Sequence, residues 1–151
     1  MHILIKDFNG FKTSFEIETT STIEQVKEKF YQSFRVPKEG QVLFLNGSQL
    51  DDNKKISDYN INEGATLDLS LNENYIEINA VNVMGKRMPF YLKLSDTIQT
   101  IKKKIEEREG IPENVQKLIY DPKNQKLDLE DNKTIQDYNF KKEATIQILY
   151  K

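Results

Sequence analysis

The side chains that could support catalysis or bind a metal are few and widely separated in this sequence. His2 is the only histidine and there is no cysteine, which leaves no thiolate zinc site and no cysteine nucleophile. Paired carboxylates occur at Asp51-Asp52 and at Glu130-Asp131, in turn-like segments where acidic side chains commonly cap the backbone. The sequence therefore predicts a protein that is not an enzyme and that holds neither a metal nor a cofactor.

Two further charged segments lack the features of a binding site. Asp121, Asp128 and Glu130 are close in sequence, but they lack the glycine and the ligand spacing of a calcium-binding loop. The lysine run at residues 102–104 is interpreted as the exposed side of a helix, and it is too short for a nucleic-acid-binding arm. With a net charge of −2, the chain is not expected to bind nucleic acid.

The element that organises the second half is an amphipathic helix within residues 95–112. Ile98, Ile101 and Ile105 recur at three- and four-residue spacing among charged residues, so one stripe of the helix faces a core. Thr97 is placed to cap the first turn, and Gly110 can adopt the left-handed conformation that closes the last turn. The start, the buried face and the end of this helix are all encoded locally.

The same signals occur earlier in the chain. Ile23, Val26 and Phe30 have the same spacing, and Thr22 with Gln25 forms a capping-box pattern. Strand patterns also repeat, giving strand, strand, helix, strand, short strand and strand in each half. A period of about 75 residues is too long for a solenoid unit and suits two small domains. We expect domain 1 at residues 1–72, a linker at residues 73–75 and domain 2 at residues 76–151.

The repeated motifs are specific enough to indicate a family. The second half closely resembles ubiquitin in Ser95-Asp-Thr-Ile98, Glu109-Gly-Ile-Pro112, Gln116-Lys-Leu-Ile119, Leu129-Glu-Asp131 and Asp137-Tyr-Asn139. The first half is similar to it in Gly10, Thr22-Ile-Glu24, Val26-Lys27, Ser57-Asp-Tyr-Asn-Ile61 and Thr66-Leu67. The resemblance implies an α+β fold of two tandem β-grasp domains, each a mixed sheet wrapped round one helix.

Conjugated members of that family end in a flexible tail with a Gly-Gly terminus. The last glycine in this sequence is Gly110, and no Gly-Gly pair occurs anywhere in it. The resemblance therefore implies a protein that acts without covalent attachment.

The resemblance also implies a surface for protein partners. In the second half the positions matching ubiquitin's apolar patch are Val83, Ile119 and Leu149, with Gln147 where ubiquitin has histidine. We expect this patch to bind a protein. The alternatives are that these are ordinary exposed strand residues, or that the patches of the two halves face each other.

The matching positions in the first half have a different chemistry. They are Phe8, Phe44 and Ser70, with Asp68 beside them, so this surface is part aromatic and part acidic. We expect its partner, if it binds one, to differ from that of the second half.

These features predict a tandem ubiquitin-like adaptor or structural subunit, bound non-covalently to proteins in a large multi-subunit complex. The main alternative is a regulatory module that displays the second patch to receptors of the ubiquitin and proteasome pathway, and an atypical covalent modifier is a weaker one. There is no membrane-length apolar run, and the N-terminus has charge too early for a signal peptide. We therefore expect a cytoplasmic or nuclear protein that is neither secreted nor inserted in a membrane.

Overall fold

The computed structural model describes residues 1–141 and 144–151, which form two compact units, Met1–Glu73 and Asn74–Lys151. Each unit contains one five-stranded mixed sheet and one helix. The predicted α+β fold of two β-grasp domains is confirmed. We describe Met1–Glu73 as domain 1 and Asn74–Lys151 as domain 2.

Domain 1 forms its sheet in the strand order β2-β1-β5-β3-β4, with β1 and β5 parallel and the other pairs antiparallel. Its elements are β1 (His2–Lys6), β2 (Lys12–Glu16), α1 (Ile23–Phe34), β3 (Gln41–Leu45), β4 (Ser48–Gln49) and β5 (Thr66–Leu71).

Domain 2 repeats this topology in the order β7-β6-β10-β8-β9, with β6 and β10 parallel. Its elements are β6 (Tyr75–Val81), β7 (Arg87–Lys93), α2 (Ile98–Glu109), β8 (Gln116–Tyr120), β9 (Leu127–Asp128) and β10 (Ala144–Tyr150). Tyr75, which we placed in the linker, is the first residue of β6.

Both helices begin at the threonines that the sequence indicates. Thr22 Oγ1 accepts a hydrogen bond from the amide of Gln25, whose Oε1 accepts one from the amide of Thr22, so the capping box is confirmed. Thr97 Oγ1 accepts from the amide of Thr100 at 3.3 Å. Within the described residues, no helix has the length and apolarity needed to cross a bilayer.

The apolar stripes of the helices pack against one face of each sheet. In domain 2, Ile98, Ile101 and Ile105 have no exposed surface and belong to a core cluster that includes side chains from all the long strands of the sheet. In domain 1, Ile23 and Phe30 are at most 1% exposed. Helix periodicity therefore located the core correctly in both domains.

The interpretation of residues 102–104 as the exposed side of α2 is wrong for Lys102. Its side chain is only 5% exposed, and its Nζ lies 2.5 Å from Asp131 Oδ1. Lys27 of α1 forms the corresponding pair with Asp52, at 2.6 Å. Lys102 follows Ile98 by four residues and precedes Ile105 by three, so it lies on the same side of α2 as the buried stripe.

The C-terminus of α1 ends on a residue in the left-handed conformation. Arg35 has φ 61° and ψ 23°, and its amide donates to the carbonyl of Tyr31. The equivalent residue after α2 is Gly110, at φ 75°. Glycine adopts this conformation without the steric cost that a β-carbon brings, so Arg35 holds a position suited to glycine.

We expect Arg35→Gly to leave the free energy of unfolding unchanged or raised by up to about 1 kcal/mol. Relief of the left-handed strain outweighs the loss of the exposed guanidinium contact with the Tyr31 ring, which lies 5.3 Å away. The reciprocal change, Gly110→Arg, should lower the free energy of unfolding by about 1 kcal/mol. Thermal denaturation of both variants tests this, and a clearly lower melting temperature for Arg35→Gly would show that the arginine contacts dominate.

A reciprocal pair of hydrogen bonds closes the turn before β10. The amide of Thr134 donates to Asp137 Oδ2 at 2.9 Å, and the amide of Asp137 donates to Thr134 Oγ1 at 3.1 Å. The first bond favours the ionised carboxylate and holds the pKa of Asp137 below its ordinary value of 3.8.

Because the folded state lowers the pKa of Asp137, this carboxylate stabilises the fold above the unfolded pKa, and that contribution disappears as pH falls through the folded pKa. We expect Asp137→Asn to be less stable than the parent chain at neutral pH, with the difference narrowing below about pH 4. Urea denaturation at several pH values measures this difference in the free energy of unfolding. A difference that is constant with pH would show that the charge of Asp137 is not the cause.

Candidate functional site

The pairing of β8 with β10 positions three of the four patch residues of domain 2. Gln147 lies opposite Ile119, and Leu149 lies one pair further along, opposite Lys117. Side chains alternate between the two faces of a strand, and Leu118 between them faces the core. Ile119, Gln147 and Leu149 therefore share the sheet face that points away from α2.

The fourth residue, Val83, is held by the turn between β6 and β7. Asn82 Oδ1 accepts hydrogen bonds from the amides of Met84 and Lys86, at 2.9 and 3.0 Å. Val81 at the end of β6 pairs in register with Gln147, so the turn lies at the end of β6 that is next to Leu149. These local bonds fix the turn and project its apolar side chains into solvent.

The four side chains differ in how much surface they offer. Val83 is 54% exposed and Leu149 is 39% exposed, whereas Ile119 is only 7% exposed. Gln147 is exposed between them. The accessible apolar surface is therefore that of Val83 and Leu149, and Ile119 contributes little to it.

One exposed apolar residue beside this patch was missed by the sequence reasoning. Met84, next to Val83 in the turn, is 86% exposed. An apolar residue in a tight turn, where polar residues are usual, was the signal that could have identified Met84. We call Val83, Met84, Gln147 and Leu149, with Ile119, the domain 2 patch.

Lys117 and Asp128, at the rim of the patch, form a long surface salt bridge. Lys117 Nζ lies 3.7 Å from Asp128 Oδ2, and both side chains are well exposed. Such surface pairs contribute little to stability, because water screens them and two long side chains must be ordered. Both charges remain available to a partner at little cost.

The corresponding face of domain 1 is more polar. Asp68 lies between Lys6 on β1 and Phe44 on β3, and it is exposed, as is Ser70. Phe8 and Phe44 are each half-buried. The sequence-predicted residues of domain 1 thus place an exposed carboxylate and hydroxyl where domain 2 presents Gln147 and Leu149.

The family follows from comparison of the sequence with known proteins. The sequence model of the family described as "Ubiquitin family" matches twice, at residues 3–74 and 80–151, which covers nearly the whole chain. The chain belongs to the ubiquitin family. Each match corresponds to one of the two β-grasp domains.

Individual members of the ubiquitin family match one domain's length of the chain. The ubiquitin-like protein NEDD8 of Dictyostelium discoideum is 32% identical over 71 residues, 47% of this chain and 92% of the relative. The NEDD8-like protein RUB3 of Arabidopsis thaliana is 32% identical over 74 residues, 49% of this chain and 90% of the relative. Ubiquitin D of Rattus norvegicus is 34% identical over 61 residues, 40% of this chain and 38% of the relative.

His2 and the carboxylate pair Asp51-Asp52 have structural partners in these ubiquitin-family domains. Asp51 Oδ1 accepts from the amide of Asn53 at 2.9 Å, while Asp52 pairs with Lys27. His2 Nδ1 lies 3.4 Å from Glu63 Oε1, and the backbone amide of His2 donates to the same carboxylate. Over residues 1–141 and 144–151, no three histidine, aspartate or glutamate side chains are grouped so as to hold a metal ion.

Proposed function

We propose that this chain is a non-catalytic protein-interaction module that acts non-covalently, as an adaptor or a structural subunit of a larger assembly in the cytoplasm or nucleus. The observation that carries the proposal is the pair of exposed apolar side chains, Val83 and Leu149, on one face of domain 2. Exposed apolar side chains that converge on one rigid surface are typical of protein-binding sites.

The energetics of the domain 2 patch suit a moderately strong protein contact. Burying the exposed part of an aliphatic side chain such as Val83 or Leu149 contributes roughly 1 kcal/mol, since full burial is worth about 1.5–3 kcal/mol. Met84 enlarges the area that a partner covers. The charged pair of Lys117 and Asp128 at the rim adds orientation and specificity more than affinity.

The short connection between the domains favours non-covalent action. The last strand of domain 1 ends at Leu71, and β6 of domain 2 begins at Tyr75, so domain 1 has no free tail to conjugate. In this proposal each domain contributes a folded surface for binding.

The test compares two lysine substitutions at matched positions of the two domains. Leu149→Lys places a charge in the domain 2 patch, whereas Ser70→Lys places it at the equivalent strand position of domain 1. The partner is first identified by co-purification with the full chain, and its affinity for each purified variant is then measured. We expect Leu149→Lys to weaken binding by about tenfold or more and Ser70→Lys to leave it unchanged. Equal affinity for both variants would contradict the proposal.

The alternative is a regulatory module that displays the domain 2 patch to receptors of the ubiquitin and proteasome pathway. It is favoured by family membership, together with apolar residues at the three positions that match the ubiquitin patch. A recombinant ubiquitin-binding domain distinguishes the two functions. Capture of the full chain by that domain, lost in Leu149→Lys, supports the regulatory module. Absence of capture, with a stable co-purifying partner, supports the structural subunit.

A further inference from the structure

The turn between β6 and β7 holds a methionine side chain out in the solvent. Met84 is 86% exposed, the largest exposed fraction among the large apolar side chains of the described residues. It follows Val83, which provides the accessible apolar surface of the domain 2 patch together with Leu149. A partner that covers this patch therefore also covers the Met84 thioether.

The conformation of this turn does not require a methionine. In domain 2, Asn82 Oδ1 accepts a hydrogen bond from the amide of Met84 at 2.9 Å. In domain 1 the same turn has asparagine at this position, since Asp7 Oδ1 accepts from the amide of Asn9, also at 2.9 Å. These hydrogen bonds use the backbone amide and not the side chain. A chemical change at the sulfur of Met84 therefore leaves the turn intact.

The other two methionines of the chain are better protected than Met84. Met88 lies four residues further on in β7, is 2% exposed and belongs to the core cluster of domain 2. Met1 is half-buried, and its amino group donates to the carbonyl of Ile17 at 2.8 Å. A dissolved oxidant must reach the sulfur to react with it, so Met84 is the methionine that the fold offers for oxidation.

The reaction that an exposed thioether undergoes is a two-electron oxidation by a peroxide. A lone pair of Met84 Sδ attacks one oxygen of hydrogen peroxide, so an S–O bond forms while the O–O bond breaks. The departing hydroxide takes the proton from the transferred oxygen and leaves as water. Sulfur is oxidised to the sulfoxide and the peroxide is reduced. A methionine sulfoxide reductase reverses the change at the expense of two thiols, which form a disulfide as the oxygen leaves in water.

Oxidation changes what the Met84 side chain offers to a partner. A thioether is a weak hydrogen-bond acceptor and packs readily on apolar surfaces. The sulfoxide is polar, and covering its oxygen without a donor forfeits the hydrogen bonds that it makes to water. Because Met84 is exposed in the free chain, this cost arises only when a partner covers the patch.

We propose that Met84 is an oxidation site that regulates the domain 2 patch. Conversion of its thioether to the sulfoxide by a peroxide weakens the binding of a protein partner, and reduction of the sulfoxide restores that binding. This inference rests on the protein-binding function proposed for the patch.

The selectivity of oxidation is measured on the folded full chain without a partner. Hydrogen peroxide is added, and peptide mass spectrometry follows the sulfoxide at each methionine over time. Met84 should be oxidised about tenfold faster than Met88 or more, because only the sulfur of Met84 is accessible. The oxidised chain should also keep the parent melting temperature. Equal oxidation rates for Met84 and Met88, or a lower melting temperature after oxidation of Met84, would overturn the proposal.

The effect on binding is measured with the purified protein that co-purifies with the full chain. The chain is oxidised and freed of peroxide before this partner is added. Its affinity should fall by about fivefold or more and recover after treatment with methionine sulfoxide reductase and a thiol. Met84→Leu keeps an apolar side chain but has no oxidisable sulfur, so it should bind like the parent chain both before and after peroxide. An equal loss of affinity in parent and Met84→Leu would show that another group is responsible and would overturn the proposal.

Leu149→Lys distinguishes failure of this proposal from failure of the function on which it rests. If Leu149→Lys weakens binding but oxidation of Met84 does not, the patch binds the partner and the regulation by oxidation is overturned alone. If neither change weakens binding, the partner does not use the patch, and both proposals are overturned.

Discussion

Asp131→Ala is expected to lower the free energy of unfolding of domain 2 by about 3 kcal/mol, because it leaves a buried ammonium group without its counter-charge. Lys102 is only 5% exposed and lies 2.5 Å from Asp131, which is itself 55% exposed. Desolvation makes an unpaired buried charge far more costly than a broken surface pair. Partial hydration of the exposed carboxylate places the expected loss at the lower end of the range for buried pairs.

The matched control for Asp131→Ala removes the other partner. Lys102→Met keeps most of the side-chain volume and leaves only the half-exposed carboxylate, so we expect a loss below about 1 kcal/mol. Native-state hydrogen exchange measures both variants, with the amides of domain 1 as an internal reference. Equal losses for the two variants would show that packing of the lysine stem, and not its charge, is what matters.

Gln116→Leu is expected to lower the free energy of unfolding of domain 2 by about 2 kcal/mol, since it removes a buried hydrogen-bond donor. Gln116 has no exposed surface, and its Nε2 donates to the carbonyls of Lys102 and Ile111, each at 2.9 Å. These bonds join the helix and the segment after it to β8. Leucine fills a similar volume but leaves the half-buried Ile111 carbonyl without this donor.

Domain 1 provides the matched control for Gln116→Leu. Gln41 Nε2 donates to the carbonyls of Lys27 and Val36, at 3.0 and 2.8 Å, so Gln41→Leu should cause a similar loss confined to domain 1. Hydrogen exchange resolved by residue separates the two domains. Losses below about 0.5 kcal/mol would mean that these hydrogen bonds are hardly stronger than the hydrogen bonds to water that replace them in the unfolded chain.

Features encoded by neighbouring residues could be predicted from the sequence. The caps at Thr22 and Thr97, the left-handed cap at Gly110 and the stripe of Ile98, Ile101 and Ile105 depend only on residues within a few positions of one another. The repeat of these signals indicated two domains of one family. These local signals located the two helices, and the resemblance of both halves to ubiquitin supplied the fold.

Features that depend on distant residues could not be predicted. Lys102 is buried because Asp131, far along the chain, reaches it, and only the recurrence of a lysine and an aspartate at equivalent places in both halves hinted at this. Ile119 is on the expected sheet face, but its small exposed fraction depends on surrounding side chains that strand spacing does not specify.

The measurement that tests non-covalent action most directly is an immunoblot of the source cells, run in parallel under denaturing and native conditions. The proposed function predicts a single band in denaturant that migrates as part of a large complex in the native gel. Proteins that co-purify with that complex would then identify the assembly. A ladder of heavier bands that persists in denaturant would show covalent attachment and contradict the account.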